Sequence, residues 1–331
     1  MIFGSLISIN SNSWLRIWIG LEINLLAFIP LIIEKNNLLN SESSLKYFII
    51  QVFASRILLF LIIFYFLIFE WTLYKSLKNI FNLIFISTLI FKIGIAPFHF
   101  WFPNIIEGLN WINSLILITW QKLAPLSLLT YCLNQKFLNL IIFFSLIFGS
   151  LGGLNQTSLQ KILAYSSINH IAWIISNILI NENIWKIYFL NYLILIFSII
   201  LNFKIYNIFN INQIFSLKLK NNFKKIIFCF PLLSLGGLPP LLGFFPKWIT
   251  LINLIITNNF ILIICLINLT LITLFFYIRI CYSLILINNS FTNWSINWNF
   301  KLNKNLLFLN NFFINISIYG IFFINLIFLL Y

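Results

Sequence analysis

From beginning to end the chain is a succession of continuous apolar runs, each about as long as a bilayer is thick. Crossing the hydrocarbon as a helix takes about 20 mostly apolar residues. Runs of that order lie at 13–33, 47–69, 79–101, 112–133 and 138–154, and then at 159–180, 185–206, 226–255, 260–284 and 306–331. Met1–Asn10 is also apolar, but at about 1.5 Å per residue it is too short to cross. A membrane-spanning backbone must satisfy its own hydrogen bonds, which leaves helices and closed barrels. Barrel strands alternate apolar and polar residues over about 10 positions, and these runs do not alternate. The expected fold is therefore all-α, a polytopic transmembrane helix bundle of about ten or eleven spans, read as a single domain over 1–331. Charged residues make up 8% of the chain, against about 25% in a soluble protein, too few to cover a water-facing surface.

Lysine and arginine total 20 against 6 acids, all of them Glu. On a soluble chain that excess would suggest nucleic acid; here it reads as loop charge that sets orientation. The one cluster, Lys218, Lys220, Lys224 and Lys225, marks a loop on the negative side of the membrane. Trp14, Trp18, Trp71, Trp101, Trp111, Trp185, Trp294 and Trp298 fall near run ends and are expected at the interfaces. Trp120 and Trp173 fall inside runs and are expected to pack between helices. Cys132, Cys229, Cys265 and Cys281 form no C-x-x-C pair and read as small buried hydrophobes. No His/Cys/Glu cluster offers a metal site, and no flavin, iron–sulfur or nucleotide motif is present. No cofactor is expected in this chain.

The informative residues are the ionisable ones placed where charge is expensive. Near the bilayer centre such a group costs at least about 2.5–3.5 kcal/mol and by default has a function. Glu22, in Trp18-Ile-Gly-Leu-Glu-Ile-Asn, is the acid set deepest in a run. Its alternative role is a protonated or paired carboxyl tying two helices together. Lys92 lies five residues before Pro97, which removes a helix hydrogen bond and blocks the turn behind it. The alternative is a lysine that snorkels to an interface. His99, just past Pro97, reads as interfacial, with packing and function equally open. Lys122 is mid-run, with Thr119, Gln121 and Pro125 close by and apolar flanks that hinder snorkelling. Lys247 follows Leu233-Ser-Leu-Gly-Gly-Leu-Pro-Pro-Leu-Leu-Gly-Phe-Phe-Pro. An apolar segment so interrupted by Gly and Pro points to a broken helix at a transport site. The sequence predicts a non-helical interruption over 236–246, with Lys247 buried at the start of the next half-helix. The positive end of that helix dipole disfavours a cation, so its charge would be labile. Lys161 and His170 share a run that Tyr165, Ser166, Ser167 and Asn169 make polar. A proton-conducting face and plain interhelical hydrogen bonding are both open there. Gly149–Asn155 is no phosphate loop, since no strand or Lys-Ser/Thr accompanies it. Arg56 and Arg279 lie deep in runs and can snorkel or pair.

Several of these segments carry a resemblance. Gly-Leu-Glu-Ile-Asn-Leu-Leu-Ala-Phe-Ile-Pro (20–30), Ser44-Leu-Lys-Tyr-Phe, Ala96-Pro-Phe-His-Phe-Trp and Leu117-Ile-Thr-Trp-Gln-Lys-Leu-Ala-Pro are four of them. Gly152-Gly-Leu-Asn-Gln-Thr, Lys161-Ile-Leu-Ala-Tyr-Ser-Ser-Ile and Leu235-Gly-Gly-Leu-Pro-Pro-Leu-Leu-Gly-Phe complete the set. Together, over residues 13 to 285, they resemble the second-subunit family of mitochondrial NADH dehydrogenase, respiratory complex I. The resemblance implies an antiporter-like subunit of the proton-pumping membrane arm, in the mitochondrial inner membrane, with two inverted helix repeats each holding a broken helix. It implies a proton relay through Glu22, Lys92, Lys122 and Lys247, which His170 lines, with redox work left to other subunits. Partners would be the other membrane-arm subunits, lipids and protons, and no nucleic acid. Arg56 departs from the family, which has apolar residues in that span. A free-standing proton/cation antiporter would use the same residues, and a scaffold subunit would use the charges only to pair helices.

Magnitudes fit a relay. Bringing Glu22 to about 4 Å from a lysine at effective dielectric 20 is worth about 4 kcal/mol. Moving one charge against 100 mV costs about 2.3 kcal/mol. The relay also requires Lys92, Lys122 and Lys247 to lie at similar membrane depth. The composition yields one further expectation. The chain has a single Met and 39 Phe, a bias that A+T-rich codons produce in organellar genes. Several animal mitochondria read AUA as Met, which the standard code prints as Ile. Peptide mass spectrometry should find Met at some positions written Ile; Ile masses at all of them would refute this.

Overall fold

The computed structural model describes residues 1–33, 37–69, 75–215, 222–285, 308–318 and 320. Apart from one isolated bridge between Ser158 and Asn210, the described elements are helical. They are α1 (Ile2–Asn10), α2 (Trp14–Ile32), α3 (Leu38–Phe69), α4 (Lys75–Ile93), α5 (Trp101–Glu107), α6 (Trp111–Ile118), α7 (Trp120–Leu129) and α8 (Gln135–Leu154). There follow α9 (Leu159–Ile178), α10 (Glu182–Ile205), α11 (Ile211–Phe215), α12 (Asn222–Gly236), α13 (Phe244–Ile256), α14 (Phe260–Ile285) and α15 (Phe308–Ile318). Among the described residues, six stretches are long and apolar enough to cross a membrane by themselves: α2, Leu38–Leu67 of α3, α6 with α7, α8, α10 and α14. The chain forms two compact units, Met1–Ser145 and Leu146–Tyr331.

In the first unit, α1 crosses α2 at close range. A Cβ on Gly4 would come within 2.8 Å of the Asn24 amide nitrogen, and one on Gly20 within 2.7 Å of that of Ser8. Helix α3 packs on α2 and α4, and α7 packs on α4 and α1. The sequence reads 34–44 as a polar connection; the structure instead begins α3 at Leu38. The polar residues there are compatible with helix because each finds a local partner. Ser41, Ser43 and Ser44 donate to carbonyls three residues back, and Glu42 pairs with Lys46 at 2.6 Å.

In the second unit, α9 is enclosed: all of its 20 residues except Lys161 and Tyr165 are buried. It packs on α10, α13 and α14. Enclosure explains how a span can carry so many polar side chains, since none of that buried face meets lipid. Helix α14 is the opposite case, with Ile261 82% and Phe275 61% exposed.

Two helices break in the same way. Gly94 (φ 77°) ends α4 and Gly237 (φ 85°) ends α12. The Gly94 amide donates to Phe91 O and that of Ile95 to Ile90 O; likewise Gly237 donates to Ser234 O and Leu238 to Leu233 O. This is the Schellman arrangement, which needs a left-handed residue that glycine adopts without penalty. The same pattern follows each glycine, Gly94-Ile-Ala-Pro and Gly237-Leu-Pro-Pro. The second interruption runs over 237–243 rather than 236–246, because Pro246 fits the first turn of α13, where no intrahelical donor is needed. A third irregular turn, at Thr119, separates α6 from α7 and was not predicted.

Tryptophan placement is mixed. Trp173 packs between helices as expected, 1% exposed, but Trp111 (3%) and Trp185 (6%) are buried rather than interfacial. Both end a run in sequence yet face neighbouring helices, a distinction that periodicity does not make. Trp71, Trp294, Trp298, Lys218 and Lys220 lie outside the described residues.

The two glycines at the α12 end should respond oppositely to alanine. Gly236 is helical, and a Cβ there meets nothing closer than 3.4 Å, so Gly236→Ala should be neutral or stabilise by up to about 1 kcal/mol. Gly237→Ala carries the left-handed penalty, about 1–2 kcal/mol, and its Cβ would lie 2.9 Å from the Lys247 side chain. Thermal unfolding of the detergent-purified protein measures both. A Gly237→Ala protein as stable as the parent would contradict the assignment.

Candidate functional site: buried lysines beside broken helices

In the first unit, the end of α4 delivers Lys92 and the start of α7 delivers Lys122. They are 7% and 2% exposed. Both line one cavity with Asn24, Tyr47, Gln51 and Gln121, walled by Phe102, Leu117 and Pro125. The cavity has room for water-sized occupants, and polar cavities of that kind hold ordered water. Breaking α4 frees its last carbonyls. Gln51, from the middle of α3, donates its Nε2 to Lys92 O at 3.1 Å. Asn24 and Gln121 form a reciprocal amide pair, Nδ2 to Oε1 at 3.0 Å and Nε2 to Oδ1 at 3.4 Å, which ties α2 to α7. The Lys122 ammonium lies 4.0 Å from the centroid of the Phe102 ring. A desolvated cation–π contact is worth about 2 kcal/mol, less than the roughly 2.5–3.5 kcal/mol of placing a cation at the bilayer centre. The ring alone therefore does not offset the cost of a charged Lys122.

Glu22 lies two residues before Asn24 and about one turn before Leu25 on α2, half-buried. Its Oε2 is enclosed without a hydrogen-bond partner. Among the described residues it forms no ion pair, although it lies within electrostatic range of Lys92. The Glu22–lysine contact is thus open in this structure.

In the second unit, Lys247 sits in the first turn of α13 and is 7% exposed. Its ammonium does not face the dipole end that the sequence position suggests. It reaches back across the break and donates to Leu235 O at 3.1 Å and Gly236 O at 2.9 Å, the last carbonyls of α12. That is the negative end of a helix dipole, where a cation is favoured. Two charge-assisted hydrogen bonds at about 1.5–3 kcal/mol each match the insertion cost. The indole of Trp173 lies 5.8 Å from Nζ. Trp173 in turn stacks on Tyr188, and the Tyr188 hydroxyl meets His170 Nδ1 at 3.0 Å. The His170 ring lies 5.1 Å from that of Tyr192. Tyr192 and Tyr277 bring their hydroxyls towards Ser167 and Ser166. These groups make a polar line inside an apolar bundle.

The structure therefore brings Lys92 and Lys122 to one cavity, with Glu22 in electrostatic range of Lys92, and sets Lys247 and His170 in one polar cluster of their own unit. Sequence reasoning missed Gln51, Asn24 and Tyr188 as members. Gln51 was readable as an amide inside an apolar run, but nothing in sequence says which carbonyl it serves. His99, read as interfacial, is buried (3% exposed), because the break over 94–100 folds it inward. Arg279 is exposed and donates to Leu154 O at 3.0 Å, capping α8.

Buried lysines at helix breaks in an apolar helical bundle define an antiporter-type membrane protein. The comparisons give the family: residues 11–273 match the model of the NADH:quinone oxidoreductase/Mrp antiporter transmembrane family, and the chain belongs to it. It is 49% identical to NADH-ubiquinone oxidoreductase chain 2 of Anopheles gambiae, over 100% of this chain and 96% of that one. It is 51% identical to the chain of the same name from Aedes aegypti, with the same coverage. Among solved structures, respiratory complex I from Thermus thermophilus aligns with TM-score 0.79 at 20% identity, over 96% of this chain and 76% of that one. The Mrp complex from a Dietzia species aligns at 0.75 with 15% identity, over 85% and 58%. At those identities the structures bear on fold alone.

Gln51→Leu should leave Lys92 O without its side-chain donor at a cost of about 1–3 kcal/mol. Gln51→Glu, which keeps length but loses the donor unless protonated, should show a loss that lessens as pH falls. Thermal stability of the purified protein across pH distinguishes them; equal stability of Gln51→Leu and parent would remove Gln51 from this role.

Proposed function

We propose that the chain is a membrane-arm subunit of proton-translocating NADH:ubiquinone oxidoreductase in the mitochondrial inner membrane. It would move protons through a buried Glu/Lys relay driven by redox chemistry in other subunits. The relay comprises Glu22, Lys92 and Lys122 in the first unit and Lys247 with His170 in the second. The observation that carries this reading is the cavity where Lys92 and Lys122 meet amides and a ring, with no acidic side chain among its lining residues. A scaffold role would favour fixed ion pairs; an unpaired Glu22 within electrostatic range of Lys92 supports a contact that forms and breaks. Forming it is worth about 4 kcal/mol at 4 Å, enough to move one charge against 100 mV, about 2.3 kcal/mol.

The reading extends to architecture. The pieces α4 with α5, α6 with α7, and α12 with α13 each make one span, and the whole makes about ten or eleven spans in two inverted repeats. Partners are the other membrane-arm subunits, with lipids around them and protons as cargo, and no cofactor is assigned to this chain. A free-standing antiporter would purify alone; this reading requires a large assembly.

Lys122→Met tests the relay. It keeps volume and removes the titratable group. The assembly should form at normal levels, with NADH-driven proton translocation falling roughly tenfold, below the 10²–10⁴ typical of a positioned proton-transfer group. Parental pumping at normal assembly would end the proposal for this residue.

A further inference from the structure

Arg56 belongs to neither polar cluster. It is exposed on α3 and, among the described residues, makes no hydrogen bond or ion pair. The same face of α3 carries Ile49, Phe53, Phe60, Ile63 and Leu67, each 49–65% exposed. At 1.5 Å per residue this stripe is about 27 Å long, close to the thickness of the hydrocarbon layer. Arg56 falls inside it, about 10 Å from one end and about 16 Å from the other. A helical side chain leans towards the helix N-terminus, here towards Phe53 and Ile49, the nearer end of the stripe, beyond which Leu45 (62% exposed) continues the apolar face by one more turn. Its three-methylene stem is short for that distance, so snorkelling to a headgroup phosphate is hindered.

Among the described residues no acid pairs with Arg56. Glu42 is engaged by Lys46, and Glu22 has its Oε2 enclosed on α2. From residue 286 to the end the sequence has no acid at all. A guanidinium held in hydrocarbon is stabilised by a carboxylate that it can grip with two parallel hydrogen bonds. We propose that this face of α3 is the docking surface for a transmembrane helix of a neighbouring subunit, one that brings an Asp or Glu to Arg56 within the membrane. Phe53 and Phe60, one turn to either side, would pack against that helix and exclude lipid from the pair. The inference rests on the chain being one subunit of an assembly.

The test places a photoreactive amino acid at Phe60 in the intact assembly, with Arg56 unchanged, and identifies adducts by mass spectrometry. The expected adduct is a transmembrane peptide of another subunit containing Asp or Glu. Arg56→Met should then lower incorporation of the chain about tenfold or more, since it leaves a carboxylate buried and unpaired. Arg56→Glu should be rescued by changing the partner's acid to Lys. Adducts on phospholipid alone, an adduct peptide without an acid, or normal incorporation of Arg56→Met would each overturn the docking surface. Isolation of the chain by itself would instead overturn the assembly on which it rests.

Discussion

A carbonyl released where a helix stops inside an apolar bundle must find a donor, and water is not freely available to supply it. This constraint organises both units. At the end of α4 the donor is the Gln51 amide, and at the end of α12 it is the Lys247 ammonium. The left-handed glycines, the two Schellman turns and the positions of the polar side chains follow from those ends. Each break is stable only because a particular side chain from another segment completes it. In exchange, the break brings irregular backbone and a polar group to a depth where a continuous helix would present only methyls and rings.

The two solutions differ in what they do to charge. An amide donor at Lys92 O leaves the Lys92 ammonium to the cavity, where it shares space with Lys122, Asn24 and Gln121. At Lys247 the ammonium itself is the donor, so its protonation state and the integrity of the break are tied together. A neutral amine can still donate, but without charge assistance each bond is roughly half as strong. Proton loss at Lys247 would therefore loosen the α12–α13 break, whereas proton loss at Lys122 removes a cation from an aromatic face and leaves the backbone intact. In the proposed relay, Lys247 would thus couple protonation to conformation, and Lys122 would couple it to the polar contents of a cavity.

Much of this was legible in the sequence. Membrane class and helical content follow from run length, and the breaks from Gly237-Leu-Pro-Pro and Gly94-Ile-Ala-Pro. Lys92, Lys122 and Lys247 stand out because charge in such runs is costly. What the sequence did not disclose is pairing across the fold. Gln51 and Lys92 are 41 residues apart, and Asn24 and Gln121 are 97; hydropathy carries no information about such partners. The direction of the Lys247 side chain was misjudged for the same reason. Its position in α13 is local, but the carbonyls it serves belong to the preceding helix. Trp111 and Trp185 show the limit from the other side, since a run end in sequence is an interface only if no neighbouring helix covers it.

The distribution of charge adds a final step. Of the described acids, Glu42, Glu107 and Glu182 are exposed, and Glu22 alone reaches inside. Against it, the first unit buries Lys92 and Lys122, and the second buries Lys247. One carboxylate cannot neutralise two lysines in its own unit at once. With both lysines protonated the cavity would hold two like charges against one carboxylate. In the proposed relay a second proton entering this cavity would favour release of another unless an anion arrived or Glu22 moved. On that reading the imbalance favours passing protons on over storing them. Among the described acids only Glu22 reaches inside, so in the proposed relay further compensating charge is expected from beyond the described residues.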